Sequence, residues 1–473
     1  MADPLLLSRI QFAFTVTFHI IFPTMSIGLG GFLVLVEGLW LKTGDPLYLR
    51  IYRFWLVIFA MGFGVGVVTG IVLSFQFGTN WARFAQMAGP VIAPMISLEV
   101  LTSFFLEAGF LGIMLYGSGR VGKGLHFFAT CMVALGSLMS AGWILAANSW
   151  MQTPDGVVFE NGRFVVVSWL KAIFNPSFPY RYVHMLLAAY IAGSFIVAGV
   201  SAWYLLRGRH RDFARRSLSL ALGIATVLVA GQVFLGDILA GVVAQYQPAK
   251  IQAIEGNWDD RAAASYLLFI DPNVAQERND VELGVPYLGS LLVTHTLHGT
   301  VEGVKRSAVQ DRPKLVMVFY AFRVMFLIGI LMFAVVCVSI WLRLHGRLHT
   351  TRWFLHTLVW LTPSGLLATV GGWYTTETGR QPWVVFGQLR TADVLSPVTA
   401  SQVEASLALI VCIYTLFGCS FLVLALRRIR RGPDESATST SPAASMPSVG
   451  VVKRVQQSPT VDAVVAGAST GQA

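Results

Sequence analysis

Nine apolar segments, each long enough to cross a lipid bilayer, run along this sequence. They lie near Phe14–Trp40, Phe54–Phe77, Pro94–Tyr116, Leu125–Trp150, Tyr182–Leu206, Leu218–Val243, Leu315–Leu342, Trp353–Tyr374 and Val403–Leu426. Crossing the hydrocarbon takes about 20 helical residues. Backbone amides there find no water, so each segment must satisfy its own hydrogen bonds as a helix. The fold class follows: an all-α, polytopic membrane helix bundle with nine transmembrane helices. Composition agrees, with 55% hydrophobic and 12% charged residues, against about 25% charged in soluble domains. No internal repeat stands out, which argues against an inverted-repeat transporter.

The short connections orient the bundle. Lys42, Arg50 and Arg53 follow the first segment, and Arg120 and Lys123 the third. Arg207, Arg209, Arg211, Arg215 and Arg216 follow the fifth, Arg343, Arg347 and Arg352 the seventh, and Arg427, Arg428, Arg430 and Arg431 the ninth. The alternate connections hold few basic residues, such as Arg83, Arg163 and Lys171. Positive loops stay inside, so the N-terminus is expected outside and the C-terminus inside. The net charge of +10 resides in these loops, so it marks topology, not a nucleic-acid partner.

One connection, 244–314, is too polar to span and too long to be a turn; it reads as a functional loop or small cap on the outer side. It belongs with the bundle, residues 1–431. Residues 432–473 are rich in Ser, Thr, Ala and Pro and are expected to form a disordered cytoplasmic tail. The start, Met-Ala-Asp-Pro-Leu, lacks a basic region and a small-residue cleavage site, so no removable signal peptide is expected. Cys131, Cys337, Cys412 and Cys419 lie in apolar runs without CxxC spacing and read as core residues.

Ionisable residues inside such segments are costly and mark function by default. His19 lies in the strongly apolar stretch Phe14–Pro23 and has one nitrogen to offer a metal. Glu99 and Glu107 lie eight positions apart on one helix, about 80° and about 12 Å from each other. Two carboxyls in series read as stations of a proton path; hydrogen bonding between helices is the plainer alternative. With the N-terminus outside, His19, Glu99, His184, Met325 and Glu377 all fall in the outer half of the bilayer. His and Met are a known axial pair for low-spin haem, although Met325 alone reads as core packing and His184 alone as a structural imidazole near an interface. Glu37, near an inner helix end, reads as interfacial. His295 and His298 have an HxxH spacing but no third ligand. They and His126, His210, His345, His349 and His356 read as solvated or interfacial.

Several ordered motifs then resemble one family. The segment Gly372-Trp-Tyr-Thr-Thr-Glu-Thr-Gly-Arg-Gln-Pro-Trp383 is similar to the GRQPW signature, with its upstream Glu, of subunit I of the cytochrome bd-type quinol oxidases. Ser8-Arg-Ile-Gln-Phe12 leading to His19, Phe77-Gly-Thr-Asn-Trp81, Trp143-Ile-Leu-Ala-Ala-Asn148 and Gln247-Pro-Ala-Lys-Ile-Gln-Ala-Ile-Glu255 also resemble it, as does the Glu99/Glu107 spacing. The resemblance covers roughly residues 8–430.

What the resemblance implies is specific. His184 and Met325 match axial ligands of a low-spin b haem; His19 and Glu377 match axial ligands of two high-spin haems, with their individual partners left open. The cofactors implied are two b-type haems and a third haem, either d or b in its place. Glu99 and Glu107 match acidic residues of the oxygen-reducing site and its proton path. Arg323, Arg380 and Trp373 match residues beside the haems, and Lys250 and Glu255 match the quinol-binding part of a loop similar to the family's Q loop. The second half of that loop is short, resembling the class that includes cyanide-insensitive oxidases. The implied activity is quinol oxidation at the outer face and reduction of O2 to water with protons from the cytoplasm, building a proton motive force without pumping. The implied setting is the bacterial plasma membrane, with a multi-span subunit II and sometimes a small single-span subunit. Two rival readings are an electron-carrying membrane cytochrome b that does not touch oxygen, and a channel or transporter.

Overall fold

The computed structural model describes residues 3–434. The tail expected at 432–473 therefore lies almost entirely outside the described residues. Among these, nine helices are long and apolar enough to span a membrane: Pro4–Thr43, Pro46–Thr79, Ala82–Tyr116, Lys123–Gln152, Phe178–Leu206, Arg211–Tyr246, Leu315–Leu344, Arg352–Arg380 and Ala400–Arg431. They are spans 1 to 9 below. The number agrees with the sequence pattern, but the ends do not. Span 1 begins at Pro4, where Asp3 caps it by accepting from the Leu5 amide at 3.0 Å. Span 3 begins at Ala82, so Glu99 sits about 26 Å along it and not near its start. Span 8 runs through the signature to Arg380, so Glu377 lies in its last turn and not beyond it.

Spans 1 and 5 form the centre of the bundle. Their crossing is close because both carry glycine: a Cβ on Gly28 would stand 2.3 Å from the Ala189 carbonyl oxygen and 2.9 Å from Gly193 Cα. Small residues permit such backbone contact where no hydrophobic effect drives helices together. Around this pair, spans 2 and 4 pack on span 1, span 6 packs on span 5, and span 8 bridges spans 5 and 7. Span 9 is the least buried of the nine within this chain.

Two helices depart from regular α geometry. Span 3 contains a π-helical stretch, Glu99–Phe104, a feature found mostly at functional sites. Span 8 is made of Arg352–Trp360 and Ser364–Arg380, with Pro363 between them. The long connection folds into a small cap. A short helix, Pro248–Glu255, leads to an antiparallel hairpin of Tyr266–Asn273 and Arg278–Val285.

Candidate functional site

His19 faces span 2. Its Nδ1 lies 2.9 Å from Thr69 Oγ1. That hydroxyl has one proton, which it directs to the Val65 carbonyl at 2.9 Å, so it accepts from His19 Nδ1–H. The tautomer leaves Nε2 with a free lone pair, the arrangement of a ligating imidazole fixed by an outer partner. Gly70 gives the ring room: a Cβ there would lie 3.2 Å from His19 Cε1.

Glu99 and Glu107 both turn toward span 4. Ser140 donates to Glu99 Oε1 and Ser137 to Glu107 Oε1, each at 2.7 Å. The π-helical stretch has wider turns, which reduces the angle that eight regular α positions would open between them. Gly136 permits the approach, since a Cβ there would come within 2.4 Å of Glu107 Cγ. These carboxyls thus share one neighbouring helix, on which Ser137 and Ser140 are spaced to lie on one face.

His184 stands in the second turn of span 5. Its Nε2 is 3.2 Å from Gln232 Nε2, and its buried Nδ1 has no partner among the described residues. Met325 of span 7 packs on span 8 where Gly371 and Gly372 leave space; a Cβ on Gly372 would stand 2.9 Å from its sulfur. Trp373, half-buried, follows on the same helix.

Glu377 is held from three sides. Asn148 Nδ2 donates to its Oε1 at 2.9 Å and Gln152 Nε2 at 3.0 Å, while Arg380 pairs with Oε2. Gln152 also accepts from Lys250 Nζ at 2.7 Å and from Gln247 Nε2 at 3.0 Å. Lys250 is therefore buried, extended across Gly379, instead of displayed on the loop surface. Arg181 approaches the same group and donates to Gln247 Oε1 at 3.4 Å. Burial, and then the Arg181 cation, hold the Lys250 ammonium well below its ordinary value.

Glu255 ends the short cap helix and is also buried, with Oε2 lacking a partner. Burial pushes its carboxyl up to about 7, against the opposing pull of Arg323. Arg323 donates to the Leu267 and Ile254 carbonyls at 2.6 and 2.9 Å and lies between the rings of Tyr266 and Phe319, 4.3 and 4.1 Å from their centroids.

Sequence reasoning missed Asn148, Gln152, Gln247 and Arg181. All four sit at helix ends, where polar residues ordinarily meet the interface. The only signals were the position of Asn148 and Gln247 inside motifs already noted and the i, i+4 spacing of Asn148 and Gln152; Arg181 gave none. Glu37 and His126, read as solvated or interfacial, are not solvated: they are buried and paired at 2.6 Å, beside the Tyr52–Thr130 hydrogen bond. His295, by contrast, is exposed and pairs with Asp237 at 3.1 Å.

The donor set fits haem better than a bare ion. Among the described residues no three His, Cys, Asp or Glu side chains gather to hold a metal. Single axial donors suffice when a porphyrin supplies the other four nitrogens. Haem also brings carboxylates, and the protein has cations to meet them. Arg181, Lys250 and Arg380 surround the single carboxylate of Glu377 in a buried group. Among the described residues Arg380 Nε and Nη1 and Arg323 Nη2 are buried without a hydrogen-bond partner, and a buried donor left unmade is expensive.

Fold and site together define a polytopic membrane protein whose isolated His, Met and Glu donors, set between its helices, fit the chemistry of haem ligands. The chain belongs to the cytochrome bd terminal oxidase subunit I family, whose sequence pattern matches residues 7–433. It is 33% identical to the cytochrome bd-II ubiquinol oxidase subunit 1 of Escherichia coli (strain K12), over 92% of this chain and 98% of that one. It is 34% identical to the cytochrome bd ubiquinol oxidase subunit 1 of Bacillus subtilis (strain 168), over 94% and 97%. The bd oxidase structure from Geobacillus thermodenitrificans superposes with a TM-score of 0.84 at 32% identity, covering 91% of this chain and 99% of that one. Membership makes this a multi-pass protein of the bacterial inner membrane, from a haem-bearing oxidoreductase family whose members work with a partner subunit.

Proposed function

We propose that this chain is the haem-bearing subunit of a quinol:O2 oxidoreductase, with its N-terminus and long connection outside and its arginine-rich loops inside. The observation that carries this reading is the buried group in which Arg181, Lys250 and Arg380 meet the single carboxylate of Glu377, with Arg380 Nε and Nη1, and His184 Nδ1 elsewhere in the bundle, unpartnered among the described residues. His184 and Met325 are assigned to a low-spin b haem, and His19 and Glu377 to two high-spin positions, one b and one d or b. The haems, when bound, supply one-electron transfer and oxygen reduction.

The protein's part is binding, orientation and proton traffic. Lys250 and Glu255 would bind quinol at the outer side, Lys250 donating a hydrogen bond and Glu255 receiving a proton. Each quinol gives up two electrons and two protons, so two quinols balance one O2 reduced to two waters. The four protons for water come from the cytoplasm by way of Glu107 and then Glu99, which Ser137 and Ser140 orient. Charge separation arises because protons leave outside and are consumed from inside, without a pump. Arg323, Arg380 and Trp373 line the haem positions, the arginines pairing propionates.

The brevity of the connection after Glu255 supports the short-loop, cyanide-insensitive-like class, and the partner is a multi-span subunit II, with or without a small single-span subunit. A redox spectrum of the purified complex, together with quinol-dependent oxygen uptake, tests the reading. A low-spin b signal, high-spin signals and quinol-driven uptake are expected; a complex without haem would overturn it.

A further inference from the structure

At the face opposite the long connection, three arginines from two different loops close on one cavity of about 280 Å³. Arg211 and Arg215 come from the start of span 6 and Arg352 from the start of span 8, while His349 completes the polar wall and Leu205 and Leu355 line the floor. A recess of about 420 Å³ adjoins it, sharing Arg215 and His349. Ser219 Oγ, 2.9 Å from His349 Nε2, fixes that imidazole in the shared wall.

No carboxylate lines the first cavity. None of its three arginines has an ion pair or side-chain hydrogen bond among the described residues, whereas nearby arginines are tied down. Arg216 donates to Tyr48 Oη at 2.5 Å, and Arg343 to the Ser219 carbonyl at 2.9 Å. Orientation of a membrane protein needs positive loops, but it does not need them to converge on a cavity. Arg352 moreover opens its helix with no acidic residue in the first turn, a place where a cation is disfavoured by the helix dipole until an anion joins it.

We propose that this cavity binds the phosphodiester headgroup of an anionic phospholipid such as phosphatidylglycerol. Free phosphate shares the anionic chemistry, but the leucines of the lining and the exposed Trp341, Leu344 and Trp353 at the adjoining ends of spans 7 and 8 suit acyl chains and a membrane interface. Basic pockets between helices on the cytoplasmic side bind such headgroups in other proteins. The inference does not depend on the redox reading of the opposite face.

The test uses the intact purified complex, delipidated and then exchanged with phosphatidylcholine vesicles containing graded phosphatidylglycerol. Lipid retained by the complex is counted by mass spectrometry. The triple variant R211Q/R215Q/R352Q is expected to lose affinity for phosphatidylglycerol by about tenfold or more, with phosphatidylcholine retention and the optical spectrum unchanged. The triple lysine variant keeps the charge and should retain most of the binding, which separates site loss from misfolding. R427Q/R430Q, on the same face but outside the cavity, should bind as the parent does. Undiminished binding by the triple glutamine variant, or equal loss in R427Q/R430Q, would overturn the site. Full displacement of phosphatidylglycerol by millimolar inorganic phosphate would show a small-anion site instead and overturn the lipid assignment.

Discussion

Lys250 and Glu377 share a single amide: Gln152 accepts from Lys250 Nζ through Oε1 at 2.7 Å and donates to Glu377 Oε1 through Nε2 at 3.0 Å. The residue proposed to bind quinol and the residue proposed to ligate a high-spin haem are therefore held by opposite ends of one fully buried side chain. An amide is suited to this because it offers an acceptor to the cation and a donor to the carboxylate at once.

Replacing Gln152 with Leu removes both bonds while keeping similar bulk. A buried donor or acceptor left unmade costs about 1–3 kcal/mol. We expect Q152L to raise the KM for quinol by about tenfold and to shift the high-spin haem potential, with the low-spin spectrum unmoved. Q152E keeps the bond to Lys250 but sets a carboxylate against Glu377, so it should restore quinol KM more than potential. Redox titration and steady-state kinetics on the purified complex check both. A Q152L enzyme with parental KM and potential would show that the bridge is only structural.

Glu255 sets a pH dependence. Burial favours its neutral acid, up to about 7, so below that pH the carboxyl keeps its proton and is a poor acceptor for another. Quinol oxidation is expected to rise as pH passes upward through about 7 and then level. E255Q should lower the rate and remove this acid limb. The same shift makes the group cost stability as pH rises from its ordinary 4.5 through about 7, so the thermal midpoint of E255Q should fall less than the parent's over that window.

Much of this was legible before the structure, and the reasons differ by residue. His19, Glu99 and Glu107 declare themselves because a charge-bearing side chain within an apolar run is expensive. The ends of the spans do not, because the first turns of spans 1 and 3 carry Ser8, Arg9 and Gln11, then Arg83 and Gln86, which read as loop. In the fold these turns are used: Arg9 Nη2 donates to Gln381 Oε1 at 2.9 Å, across the bundle. Glu37 was unreadable for a related reason, since its partner His126 lies 89 positions away on another helix. The cap hairpin Tyr266–Asn273 with Arg278–Val285 also escaped, because the polarity of the connection gives its length and side but not its pairing.

Thr69 offers a test of the His19 assignment that leaves the imidazole in place. T69V is nearly isosteric and removes only the acceptor for His19 Nδ1–H. Outer partners of ligating histidines typically change metal affinity or activity by about 10–100-fold when removed. Oxygen turnover and the high-spin spectrum should weaken in T69V, and T69S should restore them. H19A should abolish one of the two high-spin signals and oxygen uptake together. If H19A keeps both, His19 is not a ligand.

Gly372 and Gly236 give a matched pair for the low-spin position. An added Cβ at Gly372 would stand 2.9 Å from Met325 Sδ, whereas one at Gly236 would meet His184 Cε1 at an ordinary 3.7 Å. The thioether is flexible, so G372A should displace the sulfur by a few tenths of an ångström without unfolding the bundle; overpacking of this kind costs about 1–3 kcal/mol. A weakened sulfur bond lowers the potential of a His/Met haem, since methionine ligation raises it. We therefore expect G372A to shift the low-spin α band and lower its midpoint potential, with the high-spin bands unchanged. G236A should leave all of these near the parental values. An unshifted low-spin band in G372A would remove Met325 from the axial position, while an equal shift in G236A would point to general loosening of the helices around His184.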